Sequence, residues 1–201
     1  MDSTGEERLG QRQAPRFSGV SVHRDGLARY SIRYPIDWQL LVHDGTAEDA
    51  TDGKEQDGVT FRPNPDDAQT FFNVWIRELE QGIVSEDFDA LREGIQEGLS
   101  QLPEVAVQSL VEIPIANLLK LEIVYGFRDG AATLERKTWV IFADRWQYTL
   151  TWQGSSPVEY KHWLAMANYS FASFELPPGL MFATDREMTA RSSRERRRER
   201  S

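Results

Sequence analysis

The chain has 201 residues, 40% hydrophobic and 11% aromatic, enough for one domain of ordinary size with a sizeable core. It contains no cysteine, which excludes disulfides, thiolate nucleophiles and cysteine-bound zinc or iron–sulfur centres. The net charge is −9; the last eleven residues, RSSRERRRERS, carry six arginines and two glutamates, a net +4, which leaves −13 on residues 1–190. A body that acidic repels a phosphate backbone, so only the tail is suited to nucleic acid.

Residues 1–16 are polar, aperiodic and without an apolar leader core, and predict a disordered arm. No later stretch approaches the roughly 20 apolar residues of a membrane-spanning helix. The expectation is a cytoplasmic protein with no transmembrane segment, or the mature domain of an exported one if a leader has been removed.

From Ala28 the pattern changes to period two. Ala28, Tyr30, Ile32 and Tyr34 alternate with Arg29, Ser31 and Arg33 as a half-buried strand. Pro35 ends it, since proline cannot donate to a continuing ladder. Trp38, Leu40 and Val42 then alternate as a second short strand. His43 to Gly58 holds six acidic residues against one lysine and predicts a surface loop. GVTFRPNP supplies a brief strand and Thr70 to Leu79 a longer one. In that longer strand Phe72, Val74 and Ile76 share one face, and Phe71, Asn73 and Trp75 the other. Aromatics on both faces predict a central strand covered on each side.

Ser85 opens a helix whose Phe88, Leu91, Ile95, Leu99 and Leu102 form one apolar stripe, stopped by Pro103. Gly94 and Gly98 cost about 1 kcal/mol each against alanine, and their spacing suggests close packing on the sheet. Four strands follow as a meander: Val105 to Ile113, Leu119 to Phe127, Thr133 to Phe142 and Trp146 to Trp152. RDGAA and ADR are short enough to be hairpin turns, which makes these strands antiparallel neighbours. Ser156, Pro157 and Glu159 read as N-cap, first-turn proline and capping-box glutamate of a last helix, striped by Tyr160, Trp163, Leu164, Ala167, Phe171 and Phe174. The element order predicts an α+β fold, a three-layer α/β/α sandwich around a mainly antiparallel sheet. One domain spans 17–178, followed by a disordered arginine-rich tail at 179–201.

YSIRYPIDWQL, the strand FFNVWIREL, the helix start SEDFDALREGI, the meander segment KTWVIFADRWQYTLTW and the helix end SFASFEL together resemble the PsbP-like superfamily, over about Phe17 to Leu176. That group includes extrinsic photosystem II proteins, a Ran-binding import factor, DcrB-like lipoproteins and chaperones for type VI secretion effectors. The resemblance implies a non-catalytic binding or assembly module, adaptor- or chaperone-like, with a homodimer as a special case. It carries no functional residue across.

The residues themselves offer no catalytic constellation. G-x-S-x-G is absent, and Gly154-Ser155-Ser156-Pro157 reads as a turn into a helix cap. His23, His43 and His162 lie on different elements without metal-ligand spacing, and Gly53-Lys54 lacks the context of a phosphate-binding loop. The acidic loop lacks the alternating ligands and final glutamate of a calcium loop. No metal, cofactor or catalytic residue is therefore assigned. Arg196, Arg197 and Arg198 could meet nucleic acid or an anionic surface, without sequence specificity because no aromatic residues are interleaved; a solubilising end is the alternative.

Six tryptophans remain. Strict alternation sends Phe71, Trp75 and Trp139 to the faces opposite their apolar neighbours, where either a second helix layer covers them or an apolar groove faces a partner. Coverage is the expectation for most of that surface, and these three residues are the candidates for binding another protein. A carrier of a small apolar ligand is the second reading.

Overall fold

The computed structural model describes residues 13–44 and 57–181. Residues 45–56 of the acidic loop and the arginine tail, with Arg196, Arg197 and Arg198, lie outside the described residues, as does most of the N-terminal arm, while the expected loop ends at His43 and Gly58 are strand residues. Nine strands and three α-helices follow in the order β1 (Val20–Arg24), β2 (Ser31–Pro35), β3 (Gln39–Asp44), β4 (Asp57–Arg62), β5 (Phe71–Glu78), α1 (Phe88–Ser100), β6 (Ala106–Ile115), β7 (Leu118–Asp129), β8 (Ala132–Ala143), β9 (Trp146–Gly154), α2 (Pro157–Ala172) and α3 (Pro178–Met181). A 3₁₀ turn at Ser85–Asp87 leads into α1. Seven strands form one antiparallel sheet in the order β3-β4-β5-β9-β8-β7-β6, and β1 and β2 form a separate two-stranded ribbon. The fold is α+β, as expected, with α1 on one face of the sheet and α2 and the ribbon on the other.

The larger core lies under α2 and the ribbon. Phe61, Phe72, Val74, Tyr148, Leu150 and Trp152 from the sheet are fully buried there against Ile32, Ala167 and Phe171. Two close approaches set this packing. Gly154 ends β9 where a Cβ would come within 2.2 Å of the Tyr160 nitrogen, so only glycine lets the first turn of α2 lie this near. Trp152 then donates its indole N–H to the Tyr160 carbonyl at 3.3 Å and stacks on Trp38 at 5.9 Å. Ser156 caps α2, its Oγ accepting from the Glu159 N–H. The Glu159 carboxylate accepts from the Trp163 indole, one turn further on.

The sequence reading differs from the structure in four further places. Strand β1 is missed because its valines, Val20 and Val22, point outward and mimic a loop. The strand expected from Ala28 begins at Ser31, since Ala28 sits at φ 55° in the turn between β1 and β2. Gly94 and Gly98 pack against nothing: a Cβ at either meets no atom within 4 Å, because both lie on the outer side of α1. Past Pro178 the chain continues as α3, and Leu180 packs on the larger core.

The end of α2 returns to the ribbon. Ser31 and Glu175 exchange both backbone hydrogen bonds at 2.9 Å, and Ser173 Oγ accepts from the Arg33 N–H at 2.9 Å. Among the described residues no helix is long and apolar enough to cross a membrane.

Candidate partner-binding face

On the α1 side of the sheet one transverse row of paired residues runs Leu110, Ile123, Thr138, Thr151, Asn73, Thr60, Leu41, from β6 to β3. Its chemistry changes at Thr138. On β6, β7 and β8 the inward residues are Leu110, Leu121, Ile123, Val140 and their apolar neighbours, and the α1 stripe of Phe88, Leu91, Ile95 and Leu99 covers them. On β9, by contrast, Gln147, Thr149, Thr151 and Gln153 face this side, and the apolar cluster under α1 takes no residue from β9, β5, β4 or β3. The expected cover over β5 is thus present on one of its faces, under α2, and no described helix supplies it on the other.

The floor of this half is buried and polar. Thr60, Asn73, Thr138 and Thr151 are each between 6% and 8% exposed. Thr138 and Thr151 pair hydroxyls at 3.4 Å. Asn73 Oδ1 and Arg62 Nε have no hydrogen-bond partner among the described residues. An unmatched buried amide oxygen costs about 1–3 kcal/mol; Trp38 Nε1, Trp139 Nε1 and Ser170 Oγ on the α2 side are likewise without a partner among the described residues.

Two aromatic residues flank Asn73 on its own strand. Phe71 and Trp75, both half-buried, stand two positions to either side. Trp75 is held against its neighbouring strand: it pairs with Gly58, where a Cβ would come within 2.9 Å of the indole, and His43 packs on it at 4.8 Å. His43 Nε2 in turn lies 3.0 Å from Thr60 Oγ1. Arg136 Nε donates to Gln153 Oε1 at 2.5 Å and its guanidinium lies 4.5 Å over Phe127.

Trp139, the third expected binding residue, is elsewhere. It lies on the opposite face, 4.9 Å from Phe171 of α2, with the Lys120 ammonium 3.2 Å from its ring centroid. Phe71 and Trp75 share one surface, and Trp139 belongs to the packing under α2.

One arrangement escaped sequence reasoning. His23 and His43, far apart in sequence, line a cleft of about 420 Å³ together with Asp25, Arg29, Tyr30 and Asp57. Arg29 fills its electrostatic centre, holding Asp25 through two bonds of 2.8 and 2.6 Å and Asp57 through one of 2.5 Å. Burial raises the Asp25 carboxyl, but the Arg29 bonds outweigh it and leave the group below its ordinary value. Burial lowers His23, which packs on Tyr30 and Phe61. A guanidinium satisfied by two carboxylates ties the ribbon to β4. A similar tie joins Asp67 to Thr70 at 2.6 Å and Ser155 at 2.7 Å. Among the described residues no group of three or more histidine or carboxylate side chains is placed to hold a metal ion.

No family model matches the chain, and no curated protein matches it by sequence. Solved structures do. The solution structure of cyanobacterial PsbP (CyanoP) from Synechocystis sp. PCC 6803 superposes over 84% of this chain and 99% of its own, with a TM-score of 0.54 at 12% identity. The fold is PsbP-like. The crystal structure of LpqN, involved in cell envelope biogenesis of Mycobacterium tuberculosis, matches over 80% of this chain and 91% of its own, with a TM-score of 0.52 at 14% identity. At such identities the likeness is one of architecture.

Proposed function

We propose that this PsbP-like chain is a non-catalytic, adaptor- or chaperone-like domain that captures another protein on the α1-side half-sheet formed by β9, β5, β4 and β3. The observation that carries this reading is Asn73: a 93% buried amide with an unpartnered oxygen, set between Phe71 and Trp75 on a half-face that α1 leaves bare. Aromatic residues and arginine are enriched at the cores of protein interfaces. The two-layer packing beneath supplies the rigidity, since the opposite side of β5 is fully buried at Phe72 and Val74.

A photo-crosslinking residue placed at position 75 tests this in the cells that make the protein. Adducts should form from position 75 and not from position 158, an exposed site on α2. Trp75→Ala should abolish capture by a crosslinker at position 71 while leaving the thermal midpoint within a few degrees. Equal adduct yields at 75 and 158 would sink the reading.

A further inference from the structure

The charge on this half-sheet is the reverse of the charge on the protein. The alternate positions of β3, β4, β5 and β9 that face the α1 side hold no aspartate or glutamate, yet they hold Arg62, Arg77 and His43, and β8 adds Arg136 beside them. The whole chain has 32 acidic residues against 23 lysines and arginines. None of the three arginines is paired with a carboxylate among the described residues: Arg77 donates to Gln147, Arg136 to Gln153, and Arg62 keeps a buried Nε without a partner. Elsewhere among the described residues Arg29, Arg92, Arg128 and Arg145 each pair with a carboxylate, while Arg24 and Arg33 on the two-stranded ribbon do not. Asp67, the carboxylate nearest in sequence to this end of β5, is committed to Thr70 and Ser155.

We infer that the partner bound here is an acidic peptide segment of another protein, its carboxylates received by Arg62 and Arg136 and its apolar side chains by Phe71 and Trp75. This rests on the half-sheet being the partner-binding face. Arg62 and Arg136 stand on β4 and β8, three strand intervals apart, roughly 14 Å at the usual strand spacing. An extended segment laid across the strands presents side chains i and i+4 at about 13 Å, so one acidic residue reaches each guanidinium. Guanidinium is the group suited to this task, because its planar fork takes a carboxylate through two bonds. Phe71 and Gln153 lie between the two arginines in their transverse row, and in the next row, between Thr60 and Thr151, Asn73 Oδ1 gains the N–H donor that it lacks. Outside its last eleven residues the chain carries a net −13, so an acidic segment is repelled by much of the protein and not by this face, which favours this face in the encounter.

The probe is a twelve-residue peptide, acetyl-(Glu-Leu-Glu-Ser)₃-amide, titrated into the full-length chain at low salt and followed by NMR of the Trp75 indole and the Asn73 side-chain amide. The same peptide with glutamine at each glutamate, and a twelve-nucleotide single-stranded DNA, are the comparisons. The glutamate peptide should bind at least tenfold more tightly than the glutamine one, lose that advantage at 0.5 M salt, and lose tenfold or more on Arg62→Gln. Thr149→Glu, which sets a carboxylate on a half-buried position in the middle of the face, should do the same without touching an arginine. Equal affinity for the two peptides would overturn the acidic-segment inference. Tighter binding of the DNA would overturn it in favour of a nucleic-acid ligand. If the peptides bind equally while crosslinking from position 75 still finds a protein, the face stands and the chemistry assigned to its partner falls. If crosslinking also fails, the face falls with it.

Discussion

The two halves of the α1-side face belong to one sheet and carry opposite chemistries. On β7 every inward residue from Leu119 to Phe127 is apolar, and α1 packs on it; on β9 the inward residues are Gln147, Thr149, Thr151 and Gln153, and α1 does not. The boundary runs along β8, which contributes Val140 and Phe142 to one half and Thr138 and Arg136 to the other. Burial alone does not separate them, since Thr151 and Ile123 are both over nine-tenths buried. What separates them is whether the buried groups are satisfied by contact or by hydrogen bonds. An apolar row needs only a helix laid over it, whereas a row of hydroxyls and amides needs donors and acceptors in register.

Truncation should expose this difference most sharply. Leu121→Ala, fully buried under α1, should cost about 2–5 kcal/mol in a urea unfolding series. Thr151→Ala, at the same depth on the other half, should cost about 1 kcal/mol or less. Similar losses at both sites would mean that the second half is covered as tightly as the first.

An acid titration comes next in size. Asp25 and Asp67 both titrate below the ordinary carboxylate value and both contribute to the loss of stability below pH 4; the one bound to a guanidinium is Asp25. Its folded carboxyl titrates below the ordinary 3.8. Between those two values the unfolded chain holds a proton that the folded one does not, so stability rises with pH there, is complete above 3.8, and is lost as pH falls through the folded value. Asp25→Asn should flatten this slope and cost about 1.5–3 kcal/mol at neutral pH through the charge-assisted bonds to Arg29.

Gly58→Ala probes the wall of the open half. Its methyl would press on the Val74 carbonyl and the Trp75 ring, which should cost about 1–3 kcal/mol and shift Trp75 fluorescence. Alanine at Leu121 should leave that emission in place. The smallest effect is a gain. Gly94→Ala or Gly98→Ala, on the bare outer side of α1, should each raise stability by about 1 kcal/mol, seen as a higher urea midpoint.

Much of this was legible in the amino-acid order. Period-two runs placed β2 to β9 and the spacing of Phe88, Leu91, Ile95 and Leu99 placed α1 and its buried side. Phe71 and Trp75 were correctly assigned to one face. Trp139 was grouped with them because alternation gives a side relative to strand neighbours but does not say which layer lies there; Phe171 of α2 fills it. The bare half was written in β9 all along, in the alternation of Trp146, Tyr148, Leu150 and Trp152 with Gln147, Thr149, Thr151 and Gln153, while the aromatics of β5 pointed toward a second cover. The cleft between His23 and His43 was not legible, because it depends on the ribbon docking against β4, a contact between segments with no shared local pattern.

The backbone exchange between Ser31 and Glu175 also orders events during synthesis. The ribbon is translated before the sheet, yet one residue that secures it, Glu175, is made almost 150 positions after Ser31, so this contact is among the last to be locked. At ordinary elongation rates of about 5–20 residues per second that wait lasts many seconds. Throughout it Tyr30 and Ile32 have no finished layer to rest on, which makes the nascent chain, before Glu175 emerges, the stage at which this protein most needs protection from aggregation.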